Sequence, residues 1–137
     1  MTHVKLHGIL YHAVERNLDL AETYLDFLGQ APQSLAVFSL AGGSLVAAAK
    51  ARGLEVYQEA FADRDYQSNG SLVPRSEPGA LLTAAEAFRR IAIWQDSGKL
   101  PIGSAQRIDL SANTLCVHAD STEALVLLQQ LRLLFKK

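Results

Sequence analysis

The chain of 137 residues holds a single cysteine, a single methionine and a single tryptophan. One cysteine, Cys116, excludes an internal disulfide and suits a reducing compartment, so a cytoplasmic location is expected. No run approaches the roughly 18 uninterrupted apolar residues of a membrane span. The first residues lack a charged region followed by an apolar stretch and a small-residue cleavage site, so no secretory leader is expected. Neither sign of charge dominates: 13 basic residues face 14 acidic ones, for a net charge of -1. The basic residues are scattered rather than striped, and neither nucleic acid nor an anionic membrane is an expected partner. There is no HxxxH on a predicted helix and no paired CxxC. His3, His7, His12, Asp63 and His118 are the residues to weigh as ligands, and no metal is expected. "AGGSL" (41–45) lacks the lysine of a phosphate loop and reads as a helix start.

What is present is the composition of an ordinary globular protein, with 49% hydrophobic and 20% charged residues. That is enough for one domain over residues 1–137 with a sizeable core. Residues 3–7 read as a strand. Helical spacing of Leu18, Ala21, Leu25 and Leu28 predicts a helix over 18–28, capped by Asn17 or Asp19. "SLAVFSL" (34–40) reads as a strand buried on both faces. A helix over 44–52 and a strand over 55–61 follow. Residues 63–79 are polar, with an Asn69-Gly70 turn and two prolines, and form a long loop or a small hairpin excursion. A helix over 83–97, a turn with a brief extended "RIDL", a strand over 114–118 and a helix over 121–135 capped by Ser121 or Thr122 complete the chain. Alternating strands and helices predict an α/β fold with a parallel sheet.

Chemistry in such folds collects at the carboxyl ends of strands. In "HVKLHGILYH" (3–12), an extended backbone sends Val4 and Leu6 to one face and His3, Lys5 and His7 to the other. In "TLCVH" (114–118), Thr114, Cys116 and His118 share a face in the same way. The charged strand ends are Lys5 and His7, Glu59 to Arg64, and His118 to Asp120. They are the candidate site. The alternative for each histidine is a hydrogen-bonded core residue, and for Asp63, Glu59 and Arg64 an ion pair that holds the long loop. Arg75 either reaches back over the site or is a solvated loop residue.

Three of these stretches carry a resemblance. "VKLHGILYH" is similar to VKPHGALYN. "EAFADRDYQSNGSLVPRSEPGA" (59–80) follows EAFADRxYxxDGxLVxRxxPGA nearly residue for residue. "LCVHAD" (115–120) is similar to ICVHGD. Together they resemble the LamB/YcsF family, the A subunit of the bacterial ATP-hydrolysing 5-oxoprolinase. Members run to about 250 residues, the usual size of a (β/α) barrel. Motifs of their first half, such as DLNxDxGE, ACGFHAGDP and GAHPSYPD, do not occur here. The resemblance is therefore to a C-terminal half, and it implies a partial (β/α) barrel-like sheet, roughly half of the family's barrel. Leu6, His12 and Ala119 depart from the motifs.

The resemblance implies ATP-dependent opening of the 5-oxoproline ring to glutamate. Lys5, His7, Asp63 and His118 are then the catalytic candidates. Lys5 would stabilise developing negative charge, and the histidines or Asp63 would move protons. Glu59, Arg64, Tyr11, Arg75 and Asp120 are the substrate-binding candidates. ATP is the implied cosubstrate, and the other 5-oxoprolinase subunits are implied partners. Pairing with itself or with a separate chain carrying the first half also follows from an open half barrel. Two other readings stand beside this one: a non-catalytic structural or interaction remnant of the fold, and a barrel-type hydrolase or deacetylase of a small polar substrate.

Overall fold

A computed structural model describes residues 2–120 and 122–136. Its elements in chain order are β1 (His3–Lys5), α1 (Ile9–Ala13), α2 (Leu18–Gly29), β2 (Ala36–Leu40), α3 (Ser44–Ala51) and β3 (Val56–Phe61). There follow α4 (Ala84–Ser97), β4 (Lys99–Ile102), β5 (Gln106–Asp109), β6 (Thr114–Cys116) and α5 (Ala124–Leu134). Four strands form one sheet in the order β1-β2-β3-β6, and β4 pairs with β5 in a separate two-stranded sheet. β1 to β3 are parallel, with Lys5 opposite Phe38 and Leu40 opposite Glu59. The α/β class and the parallel sheet are those the alternating pattern predicts.

The chain divides into two compact units. The first runs up to Glu59 and includes Ala112–Thr114. Its core is built by the apolar stripe of α2 against β2 and α3: Leu25, Leu28, Val37, Leu45, Ala49 and Val56, joined by Val4 and Leu6 from the first strand region. Asn17 caps α2 by accepting the Leu20 N–H, 3.0 Å away. A polar cap of this kind satisfies one of the four orphan donors of a helix start.

The second unit comprises Ala60–Ser111 and the chain from Leu115 onward. Here α4 packs on β4 and α5, burying Ala87, Ile91, Leu100, Leu127 and Leu131. Thr83 and Glu86 form a reciprocal capping box at its start. Gly98, at φ 72°, ends it in the left-handed conformation that a side chain would resist. The segment after β3 is the small hairpin excursion of the two options, with antiparallel bridges Arg64–Leu81 and Tyr66–Leu72.

Four elements differ from the expectation. The first strand stops at Lys5, because Gly8 at φ 57° turns the chain into α1, a short helix that periodicity over five residues cannot reveal. "RIDL" is half of the β4–β5 hairpin; its partner "KLPI" contains Pro101, which argues against a strand but stands at an edge. The strand at 114 ends at Cys116, so His118 lies beyond it. The last helix begins at Ala124, with Glu123 at its cap position; Ser121 lies outside the described residues, and Thr122 is not the cap.

Two residues of α2 set a quantitative contrast. Leu25 is 0% exposed and Leu18 is 70% exposed. Leu25→Ala should cost about 2–5 kcal/mol of unfolding free energy, and Leu18→Ala no more than about 0.5 kcal/mol. Urea denaturation of the two variants checks this.

Candidate active site

The strongest polar cluster lies in the second unit. Asp63 follows β3, and His118 follows β6, each by two residues. The Asp63 carboxylate accepts twice from His118: Oδ2 takes the backbone N–H at 2.9 Å, and Oδ1 receives ring Nδ1 at 2.9 Å. Nδ1 is also 3.1 Å from Oδ2. An ionised carboxylate only accepts, so the ring proton must sit on Nδ1. In the neutral ring the lone pair is then on Nε2. The His118 side chain is 26% exposed. Phe61 stacks on its other face at 5.5 Å between centroids.

Burial works to raise the Asp63 pKa, but the ring and backbone hydrogen bonds from His118, with its charge, outweigh it. They hold the carboxyl below its ordinary value. The backbone at Asp63 is fixed as well. Its carbonyl accepts the Leu82 N–H at 3.0 Å, and the neighbouring Ala62 N–H donates to the Cys116 carbonyl at 2.9 Å. The second of these bonds draws the β3 end to the strand that leads into His118.

Arg64 is buried and braces the loop. Its guanidinium donates to the carbonyls of Val73 at 2.6 Å and Ala80 at 3.4 Å. Burial, and then the charge of Arg75, lower its pKa. The loop is thus held through carbonyls rather than through an ion pair of Arg64 with Asp63 or Glu59. Arg75 pairs with Asp120 at 3.1 Å, an exposed bridge worth little energy that ties the loop to the segment after β6.

The first unit holds a separate pair. Lys5 Nζ donates to Glu59 Oε1 at 2.5 Å, with the carboxylate almost wholly buried. The ammonium stands 5.8 Å from the Phe38 ring centroid and 6.0 Å from that of Tyr11. Such distances suit cation–π attraction. Glu59 Oε2 is buried without a hydrogen-bond partner among the described residues. His7 is exposed beyond the end of β1, and no hydrogen bond or ion pair among the described residues joins it to the other candidates. Among the described residues no three His, Cys, Asp or Glu side chains gather as metal ligands.

The Gly-Gly-Ser turn before α3 is filled by the protein's own carboxylate. Glu15 accepts from the Ser39 hydroxyl at 2.8 Å, the Ser44 hydroxyl at 3.2 Å and the Leu45 N–H at 3.2 Å. A Cβ on Gly43 would overlap that carboxylate and displace it from the turn. The turn offers no cradle for a nucleotide phosphate while Glu15 sits in it.

Three supporting residues are not among the candidates, although Phe61 and Tyr66 are fixed letters of the motif over 59–80 and only Arg90 lies outside it. They are Phe61, which stacks on His118; Tyr66, whose hydroxyl accepts the Phe61 N–H at 2.8 Å; and Arg90, which donates to the carbonyls of Phe61, Ala62 and Arg64. A signal for the last exists in the sequence. Arg90 sits between Ala87 and Ile91 on the core-facing stripe of α4, where a cation needs a reason.

The LamB/YcsF family profile matches residues 1–137. The likeness to a C-terminal half is thereby met more coarsely, since the match runs over the whole chain. The chain is 43% identical over 135 residues to the 5-oxoprolinase A subunit of Limosilactobacillus fermentum, covering 97% of this chain and 54% of that protein. It is 37% identical over 136 residues to the corresponding A subunit of Bordetella pertussis, covering 98% and 54%. The crystal structure of a lactam utilization protein from Thermus thermophilus superposes with a TM-score of 0.85 at 31% identity, covering 98% of this chain and 53% of that one. The chain thus spans about half the length of the curated relatives it matches.

Two outcomes follow from the ion pairs. The Asp63 carboxyl has a folded pKa below its unfolded value, near 3.9, so its contribution to stability is present above that value and lost as pH falls through the folded pKa. The difference in unfolding free energy between wild type and Asp63→Asn should therefore be full-sized above about pH 5 and shrink toward pH 3, as read by urea denaturation. Lys5→Met strands the buried Glu59 charge and should cost up to about 3 kcal/mol, most of it recovered in the Lys5→Met/Glu59→Leu double variant. A single variant as stable as wild type would contradict that account of the pair.

Proposed function

The chain belongs to the LamB/YcsF family, and from that premise we propose that it acts in ATP-dependent hydrolysis of the 5-oxoproline lactam to glutamate. We infer that it corresponds to the second half of the family's barrel and works with the other subunits of a 5-oxoprolinase. The relatives' names, the A subunit of 5-oxoprolinase and lactam utilization protein, support the substrate class. ATP as cosubstrate rests on the motif resemblance, and no described residue is assigned to it.

The observation that carries the chemistry is the bidentate hold of Asp63 on His118. A lactam is a poor electrophile, and ATP supplies the phosphoryl group that activates its oxygen. This chain's part is proton management. Nε2 of His118 takes a proton from the attacking water, and Asp63 stabilises the imidazolium that forms. Phe61 holds the ring plane during the transfer. Lys5, held in place by its ion pair with Glu59, is the first unit's candidate donor to negative charge. Arg75 is a candidate contact for the substrate's carboxylate and Asp120 for its lactam N–H, since both are exposed at the dyad's loop. Arg64 serves the site indirectly, by bracing that loop.

The test is glutamate release from 5-oxoproline with ATP, for the chain alone and with the remaining subunits. Turnover is expected only in the assembly, with a loss of roughly 100- to 10,000-fold for His118→Gln. An assembly that turns over equally well with His118→Gln refutes the assigned base. No turnover in any combination would favour the non-catalytic remnant instead.

A further inference from the structure

We propose that Arg90 is a positioning residue for the Asp63–His118 pair: it gathers the carbonyls on both sides of Asp63 onto one guanidinium nitrogen, and so fixes the backbone that presents the carboxylate to the imidazole. The inference deepens the reading of that pair as the reactive centre and rests on it.

In a strand, successive carbonyls point to opposite edges. Those of Phe61 and Ala62 nonetheless reach the same atom, Nη2 of Arg90, at 2.8 and 2.7 Å. The chain therefore leaves the extended conformation as β3 ends. The Arg64 carbonyl joins them at 2.6 Å. The Asp63 carbonyl alone turns away, to the Leu82 N–H. All four carbonyls from Phe61 to Arg64 are thus committed, and the intervening carboxylate has one place to go. The amide side is tied too, by Phe61 N–H to the Tyr66 hydroxyl and Ala62 N–H to the Cys116 carbonyl.

Arg90 is itself held rigidly. It is 5% exposed, its guanidinium lies 5.6 Å over the Tyr66 ring, and Nη1 is 3.4 Å from Asp65 Oδ1. Asp65 in turn accepts the Gly103 N–H. Burial pushes the guanidinium pKa down, and Nε is buried without a hydrogen-bond partner among the described residues. An apolar residue at this helix position would avoid both penalties. What it could not do is bind three converging carbonyls. Lysine carries its donors on one ammonium at the end of a shorter stem, so it cannot hold the carbonyls as Nη2 does and also reach Asp65 as Nη1 does.

The experiment is proton exchange by 15N-edited NMR on the full chain. Two protons report on the Asp63 carboxylate, the His118 Nδ1–H and the His118 backbone N–H. The Val37 N–H, bonded to Glu55 in the first unit, serves as reference. In Arg90→Lys the two His118 protons should exchange about tenfold faster while Val37 keeps its rate. Rates at wild-type values, or rates that rise only in step with Val37, would overturn the proposal, since a merely structural arginine gives that pattern. If Arg90→Lys does not fold, Asp65→Asn, which releases one side of the guanidinium, decides. A selective rise at His118 supports the positioning role, and its absence overturns it. Absence of 5-oxoproline turnover would sink the functional reading and leave this one standing.

Discussion

One carboxylate organises the chemistry of the second unit. Asp63 takes the N–H of His118 with one oxygen and the ring with the other, and the two contacts reinforce each other. The backbone contact fixes where the imidazole starts, and the ring contact fixes which nitrogen holds the proton. Hydrogen bonds to a charged acceptor are the stronger kind, and here they more than offset the cost of burying Asp63. Stacking on Phe61 removes the remaining freedom of the ring. The imidazole is thereby held in one orientation.

Around this pair the loop from residue 63 to 80 behaves as a scaffold. The buried cations that hold it are engaged with backbone carbonyls more than with opposite charges. Arg64 and Arg90 serve five carbonyls between them. A guanidinium suits irregular backbone because it supplies several donors in a plane where no strand or helix can pair the carbonyls. In the first unit, Lys5 and Glu59 form a tighter and drier pair, flanked by the rings of Phe38 and Tyr11. Glu15 plugs the only glycine pair of the chain there, giving the start of α3 its own anion. These arrangements share one logic: each buried charge has a partner fixed by the fold.

Much of this is legible in the residues. Periodicity places α2, β2, α3, β3 and α4 within about two residues, because long amphipathic or continuous apolar segments answer directly to burial. The motifs at Lys5, Asp63 and His118 mark residues that do take charged partners. The short elements are not legible. α1 depends on one left-handed glycine, and β4 on a proline tolerated at an edge. The pairing of Lys5 with Glu59, and of Asp63 with His118, spans more than fifty residues each, which no local pattern encodes. Arg90 is marked only by its place between Ala87 and Ile91, and its role is not legible because its carbonyl partners lie more than twenty residues away.

The chemistry assigned to the second unit stands on the direction of one imidazole. The 15N chemical shifts of the His118 ring, recorded in the neutral form, test it most directly. The proton should reside on Nδ1, held by Asp63, with Nε2 unprotonated. A ring carrying its proton on Nε2 would contradict the assignment of His118 as the base.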